Sequence, residues 1–190
     1  MRQIILASQS PRRKQLMEQL GLPFTVVPSD FNEYLDDSRP PEDVAKELGL
    51  GKARAVAALH PEAIVIGSDT IVTVDGHQLG KAESLDEARD MWRIITSAPN
   101  KITTSVAVVC KVLAYERAES DNAYVYMKSY DDSAIEAYLA TGDYADKAGA
   151  YSLQNATALI HRFEGDEQTI LGLPMRIVSE MLKSVATRKS

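Results

Sequence analysis

Residues that can neutralise phosphate recur along this chain beside residues small enough to let a ligand approach. The apolar run Ile4-Ile5-Leu6-Ala7 breaks at once into Ser8-Gln9-Ser10-Pro11-Arg12-Arg13. A buried strand that ends in a small polar turn and feeds a helix points backbone N–H groups outward, where the helix dipole favours negative charge. Pro11 suits the first helical turn and places Ser10 at the N-cap. Arg12 and Arg13 then stand within reach of an anion held at that N-terminus, and a planar guanidinium matches two phosphate oxygens at once. A capped helix with two solvated arginines accounts for the same stretch equally well.

Asp69 lies in Ser68-Asp69-Thr70 between two apolar runs. A carboxylate there needs a partner, a metal or water, and a hydrogen bond to a turn would also satisfy it. Glu33 reads either as a solvated charge in an acidic loop or, together with Asp69, as one of the two carboxylates that Mg²⁺ takes alongside substrate phosphates. Lys52, Lys81 and Lys147 stand in Gly51-Lys52-Ala53, Gly80-Lys81-Ala82 and Lys147-Ala148-Gly149. Taken singly, each is an ordinary surface lysine. Residues 142–154 are dense in Gly, Asp, Lys and Tyr, which is how binding loops are built. Tyr138, Tyr144 and Tyr151 suit either base stacking or the core. Phe24, Trp92 and Phe163 are assigned to the core. His60, His77 and His161 lack ligand spacing, and the chain has no nucleophile elbow, Walker A motif or dinucleotide fingerprint.

The elements that must position these groups alternate in type. A helix from Pro11 carries Leu16, Met17 and Leu20 and closes at Gly21-Leu22-Pro23; a strand follows over 24–27. Residues 29–41 are irregular, and 42–59 form an amphipathic helix interrupted by Gly49 and Gly51. Stretches 63–67 and 71–74 are β-rich on either side of Ser68-Asp69-Thr70, which places Asp69 in strand territory, and Asp75-Gly76 is a hairpin turn. The pattern continues as a helix over 85–95, strands over 103–114 and 123–128, and a helix over 132–141. A loop at 148–151, a strand over 158–163 and a helix over 174–185 complete it. The fold expected is α/β, one domain over residues 1–190 with no repeat or linker.

Composition narrows the function. With 190 residues, 45% hydrophobic, the chain can bury a sizeable core, and its net charge of −6 leaves no basic surplus for general nucleic-acid binding. Cys110 is the only cysteine, so neither an intramolecular disulfide nor a thiolate zinc site can form. No leader and no membrane-length apolar run is present, and the expected location is cytoplasmic, away from any membrane.

Taken in order, several segments resemble the Maf family of nucleoside triphosphate pyrophosphatases, relatives in fold of the inosine triphosphate pyrophosphatases. They are Leu6 to Arg13, Glu33, Lys52-Ala53, Gly67-Ser68-Asp69-Thr70, Gly80-Lys81, Asp146-Lys147-Ala148-Gly149-Ala150-Tyr151 with Gln154, and Gly172-Leu173-Pro174. The resemblance implies a long mixed sheet with flanking helices, a cleft between two lobes, a homodimer, and Mg²⁺ or Mn²⁺. It implies Asp69 as general base, Lys52 and Lys81 beside it, and Glu33 and Asp69 on the metal. Ser8, Arg12 and Arg13 would cradle the triphosphate with the lysines. Lys147 would contact a phosphate or pair with a carboxylate, and Thr70 and Gln154 would face the base.

Arg12, Asp69-Thr70 and Gln154 resemble the branch that favours dTTP and UTP over the one that favours 7-methyl-GTP. Some segments depart from the family pattern. Thr96-Ser97-Ala98-Pro99-Asn100 lacks a usual histidine, Thr104-Ser105 stands for Thr-Gly, Ala82 for Pro, and Gly165-Asp166-Glu167 with Thr169 replaces Gly-Ser-Tyr and Asn. These changes leave two rivals to a dTTP/UTP pyrophosphatase: the same chemistry on 7-methyl-GTP, and a weakly catalytic, nucleotide-sensing regulator of cell division. The retained Asp69, Glu33, Arg13 and lysines favour an enzyme.

Overall fold

A computed structural model describes residues 2–188. Seven strands form one mixed sheet: β1 (Ile4–Leu6), β2 (Phe24–Val26), β3 (Ile64–Val74), β4 (His77–Leu79), β5 (Asn100–Cys110), β6 (Tyr115–Met127) and β7 (Ile160–Glu164). Their order is β2-β1-β3-β5-β6-β7, with β4 folded back onto the far end of β3. β1 runs parallel to β2 and β3, and every pairing beyond β3 is antiparallel. The helices are α1 (Pro11–Glu18), α2 (Pro41–Leu59), α3 (Leu85–Ile95), α4 (Asp132–Leu139), α5 (Glu167–Leu171) and α6 (Met175–Ala186). None among the described residues is long and apolar enough to cross a membrane.

β1 is a continuous apolar run because both of its faces are covered. Ile4 and Leu6 pack with α1 and α6, while Ile5 and Ala7 pack with α2 on the other side. Helices α3 and α4 build a further core over the distal part of β3 and β5 around Trp92, Val72 and Ile102. The Trp92 indole N–H donates to the Ala150 carbonyl at 3.2 Å, which fixes the loop after α4 to this core. The two glycines that interrupt the α2 pattern have a packing reason. A Cβ on Gly51 would overlap the Phe31 ring, and one on Gly49 would lie 2.5 Å from Ser105 Oγ, so their bare backbones let α2 settle closely on its neighbours.

Several elements differ from the sequence reading. Ser68-Asp69-Thr70 does not interrupt two strands; β3 passes straight through it. The strand expected over 103–114 ends at Cys110, where a 3₁₀ turn and a left-handed Ala114 (φ 46°) reverse the chain into β6. β6 begins eight residues earlier than expected, because much of its length is solvent-facing and residues 116–122 carry almost no apolar alternation. Phe163 is a correction: it stands 41% exposed on the edge strand β7, not in the core. Helix α5 was unread because five residues are too few to show a 3.6-residue period; Asp166 caps it by accepting the Gln168 N–H at 2.9 Å.

The site owes its place to an interruption in pairing along one edge of β3. β1 covers residues 64–66 of that edge and β4 covers 72–74, leaving 67–71 without a strand partner there. Asp69 lies at the middle of this gap. As in other α/β sheets, the opening lies beyond the carboxyl end of a parallel strand, here β1.

Candidate active site

The gap opens into a cleft of about 690 Å³ between the α1 and α6 side of the molecule and the α3 and α4 side. Ser8, Arg12, Arg13, Glu33, Lys52, Asp69, Thr70, Lys81, Lys147 and Gln154 all line it, so the fold gathers every residue that the sequence singled out for chemistry. Five cations face four carboxylates there, in a chain whose net charge is −6. Positive charge is thus concentrated where a polyphosphate would need it.

Lys52 and Asp69 form the centre. Lys52 projects from the fourth turn of α2, Asp69 from the α2-facing side of β3, and the two make a buried ion pair. The same ammonium reaches Glu33 at 2.9 Å, and Lys81 stands 3.9 Å from the other Glu33 oxygen. Burial pushes the Asp69 carboxyl above its usual range, opposed by the charges of Lys52 and Arg13. For Glu33, burial acts in the same direction but is outweighed by Lys52, Lys81 and Arg13, which hold it below the usual range. Two carboxylates in one cluster are therefore driven apart in proton affinity, the pattern that separates a proton acceptor from a fixed anion.

Arg13 is a clamp at the base of the cleft. Its Nε donates to the Gly172 carbonyl at 2.8 Å, Nη1 to the Ser68 carbonyl at 2.9 Å and to Ser8 Oγ at 3.4 Å, and Nη2 to Thr70 Oγ1 at 3.1 Å. The guanidinium thus ties α1 to β3 and to the turn after α5. The Thr70 hydroxyl is engaged by Arg13 and, at 3.0 Å, by Thr104, so it supports the guanidinium from below. Ser10 is the N-cap of α1, accepting the Arg13 N–H, while Ser8 Oγ accepts the Ser10 N–H at 3.2 Å. Hydroxyls hold both of those N–H groups, so an anion at this turn meets side chains and the helix dipole more than a bare backbone nest.

The opposite wall is organised by Asp143, which the sequence reading did not single out. Its carboxylate accepts from the Tyr138 hydroxyl at 2.9 Å and from Ser152 Oγ at 2.7 Å, and pairs with Lys147 at 3.1 Å. Lys147 therefore takes the carboxylate partner that its sequence left open. The spacing Asp143 to Lys147 is i,i+4, the one signal that pointed there. Ser152 Oγ also accepts the Asn155 N–H, closing the turn that presents the exposed Gln154 to the cleft. Lys81 is bridged in antiparallel fashion to Ala148, so this loop is docked against the β4 side. Tyr138 and Tyr151 belong to the core and meet the Trp92 ring edge-on, at 5.1 and 6.2 Å between centroids. Gly172, whose carbonyl anchors Arg13, left no side-chain signal beyond its place in a matched motif.

Among the described residues no three His, Cys, Asp or Glu side chains come together to hold a metal. A hard divalent cation needs less from the protein when phosphate is present: one or two carboxylates, the remaining oxygens coming from water and substrate. Glu33 and Asp69 supply that pair, both oxygen donors, both on the cleft wall, and both now neutralised by one ammonium.

Residues 3–185 match the family model described as Maf-like protein. The chain belongs to the Maf family. Among its relatives, a dTTP/UTP pyrophosphatase of Bacillus cytotoxicus is 39% identical over 186 residues, covering 95% of this chain and 95% of that protein. A dTTP/UTP pyrophosphatase of Moorella thermoacetica is 40% identical over 96% of this chain and 94% of its own length. In fold, the chain is similar to the Ham1 protein of Staphylococcus aureus, with a TM-score of 0.53 over 96% of this chain and 99% of that one at 12% identity. The mixed sheet with flanking helices and a cleft, expected from the Maf resemblance, is the architecture observed.

Proposed function

We propose that this chain, one unit over residues 1–190, hydrolyses nucleoside triphosphates to the monophosphate and pyrophosphate, with dTTP and UTP as preferred substrates. The observation that carries this reading is the buried Lys52–Asp69 pair set among the cations of a single cleft. The relatives named dTTP/UTP pyrophosphatases support the choice of nucleotide.

Hydrolysis of a phosphoanhydride needs an oriented water, neutralised phosphate charge and a leaving group that is held in place. Asp69 accepts the proton of the attacking water; its carboxyl is raised by burial toward the range useful to a general base. Lys52 keeps that carboxylate oriented, and with Lys81 it meets charge developing on the phosphates. Arg12, Arg13 and Ser8 bind and orient the triphosphate at the start of α1, and Lys147 approaches from the far wall. Gln154 reads the base, its amide both donating to and accepting from a uracil or thymine edge, while Thr70 acts there through its hold on Arg13. Glu33 and Asp69 would hold Mg²⁺ or Mn²⁺, which when bound supplies charge neutralisation and water activation. The reading carries with it a homodimer in the cytoplasm, for which the single buried Cys110 suits a reducing compartment.

The test is pyrophosphate release from dTTP, UTP, CTP, ATP, GTP and 7-methyl-GTP with each metal. The expected result is the highest kcat/KM for dTTP and UTP. Release of orthophosphate in place of pyrophosphate, or a panel led by 7-methyl-GTP, overturns the proposal.

A further inference from the structure

Ser105 stands directly across the ladder from Asp69, on β5, and is fully buried. Its hydroxyl donates to the Ala45 carbonyl at 2.6 Å and accepts the Asp69 N–H at 3.2 Å. Ala45 belongs to α2, the helix that carries Lys52. The same helix has no side chain at Gly49, where a Cβ would lie 2.5 Å from the hydroxyl oxygen. One oxygen thus joins the strand that bears Asp69 to the helix that bears its partner, in a space the helix leaves open for it.

We propose that Ser105 is a positioning residue for the hydrolytic reaction, locking the Asp69 backbone against α2 so that the Asp69 carboxylate meets Lys52 and the substrate in one fixed geometry. The proposal rests on the reading of Asp69 as the base. The hydroxyl must act as donor and acceptor at once, and few side chains of this volume do both. Alanine does neither, and cysteine, somewhat larger than serine, leaves no void while hydrogen-bonding weakly. Alanine removes, and cysteine weakens, an acceptor for the buried N–H of the very residue whose carboxylate reacts. Reacting groups tolerate little displacement, and an error near 1 Å can lower the rate by about 10²-fold.

Steady-state kinetics on dTTP with Ser105→Ala, Ser105→Cys, Asp69→Asn and the Asp69→Asn/Ser105→Ala double variant tests this. Both Ser105 variants should lower kcat by about 10- to 100-fold, a loss of positioning in the chemical step, with KM changed by less than about threefold. Because Ser105 acts through Asp69, adding Ser105→Ala to Asp69→Asn should cost less than about threefold more, the mark of residues working as a unit. Cysteine opens no cavity, so a Ser105→Cys enzyme with the wild-type kcat overturns the proposal, as does a loss expressed in KM alone. A full additive loss in the double variant, with Asp69→Asn itself nearly inactive, overturns the positioning role and leaves the base assignment standing. Wild-type activity in Asp69→Asn overturns the base assignment and, with it, the proposal.

Discussion

Lys52 and Asp69 meet across the interface between α2 and β3, with side chains only 10% and 8% exposed. One ammonium serves two carboxylates, since Glu33 shares it at 2.9 Å. Removing the cation is therefore worse than removing either acid. Lys52→Met should destabilise the fold by about 3–5 kcal/mol, the range for stranding one partner of a buried pair. Asp69→Asn leaves Lys52 paired to Glu33, so its thermal transition should move little while kcat falls by roughly 10²–10⁴-fold. Denaturant titration and pyrophosphate release measure the two effects. A Lys52→Met protein as stable as wild type would contradict the pairing, and an Asp69→Asn enzyme with more than about half the normal rate would remove Asp69 as base.

Arg13 makes its contacts through geometry as much as charge. Its fork reaches two backbone carbonyls and two hydroxyls on three segments of the chain. A lysine keeps the charge but cannot reproduce a planar fork. Arg13→Lys should lower stability by about 2–4 kcal/mol, the worth of one or two charged hydrogen bonds lost inside the protein. A melting temperature matching wild type would show that the clamp contributes nothing to the fold.

Strong acid should loosen the far wall. Partial burial opposes ionisation of Asp143, but hydrogen bonds from Ser152, Asn155, Tyr138 and Lys147 outweigh it and hold the carboxyl at about 2. An unfolded aspartate titrates near ~3.9, so between these values the unfolded chain binds more protons and stability falls as pH falls. The contribution is fully present above about pH 4 and is lost on going down through pH 2. Asp143→Asn should start less stable at neutral pH, and the gap to wild type should close over that window. Parallel stability curves for the two proteins would refute the assignment.

Gln154 is exposed at the cleft, on a turn closed by Ser152 and Asn155. A site that hydrogen-bonds a base edge rejects bases that leave its amide unmatched. Gln154→Ala should narrow the kcat/KM ratio of dTTP to GTP by roughly tenfold, corresponding to about 1.4 kcal/mol. An unchanged ratio would place base recognition elsewhere in the loop.

The parts of this site that were legible in the sequence are those written in residue type and short spacing. Ser10 before Pro11 gave the cap of α1, and Asp69 stood out as a charge inside an apolar stretch. Lys52 and Glu33 were candidates, but their meeting on Asp69 depends on how α2 lies against β3, which no local spacing encodes. That placement depends on Gly49 and Gly51, read beforehand only as weak points in a helix. Thr70 was expected to face a base; its hydroxyl is instead turned to Arg13 and Thr104. Gly172 contributes a backbone carbonyl, which every residue has, and Ser105 looked like one more strand residue. β6 was half missed because residues 116–122, which lie outside its pairing with β7, are nearly all polar and none is buried, so no apolar alternation marks them.

The reach of Arg13 also has an order in time. Its partner Gly172 lies 159 positions further along the chain. During synthesis, the first helix and β3 emerge well before that carbonyl exists, and N-terminal segments begin to fold as they appear. Until Gly172 arrives, a buried guanidinium lacks one of its acceptors and the turn after α5 cannot close the floor of the cleft. A nascent chain halted between β7 and Gly172 would hold all seven strands and every proposed catalytic side chain, yet its Arg13 would still lack the Gly172 acceptor. The Arg13 clamp is thus completed only when this glycine has left the ribosome.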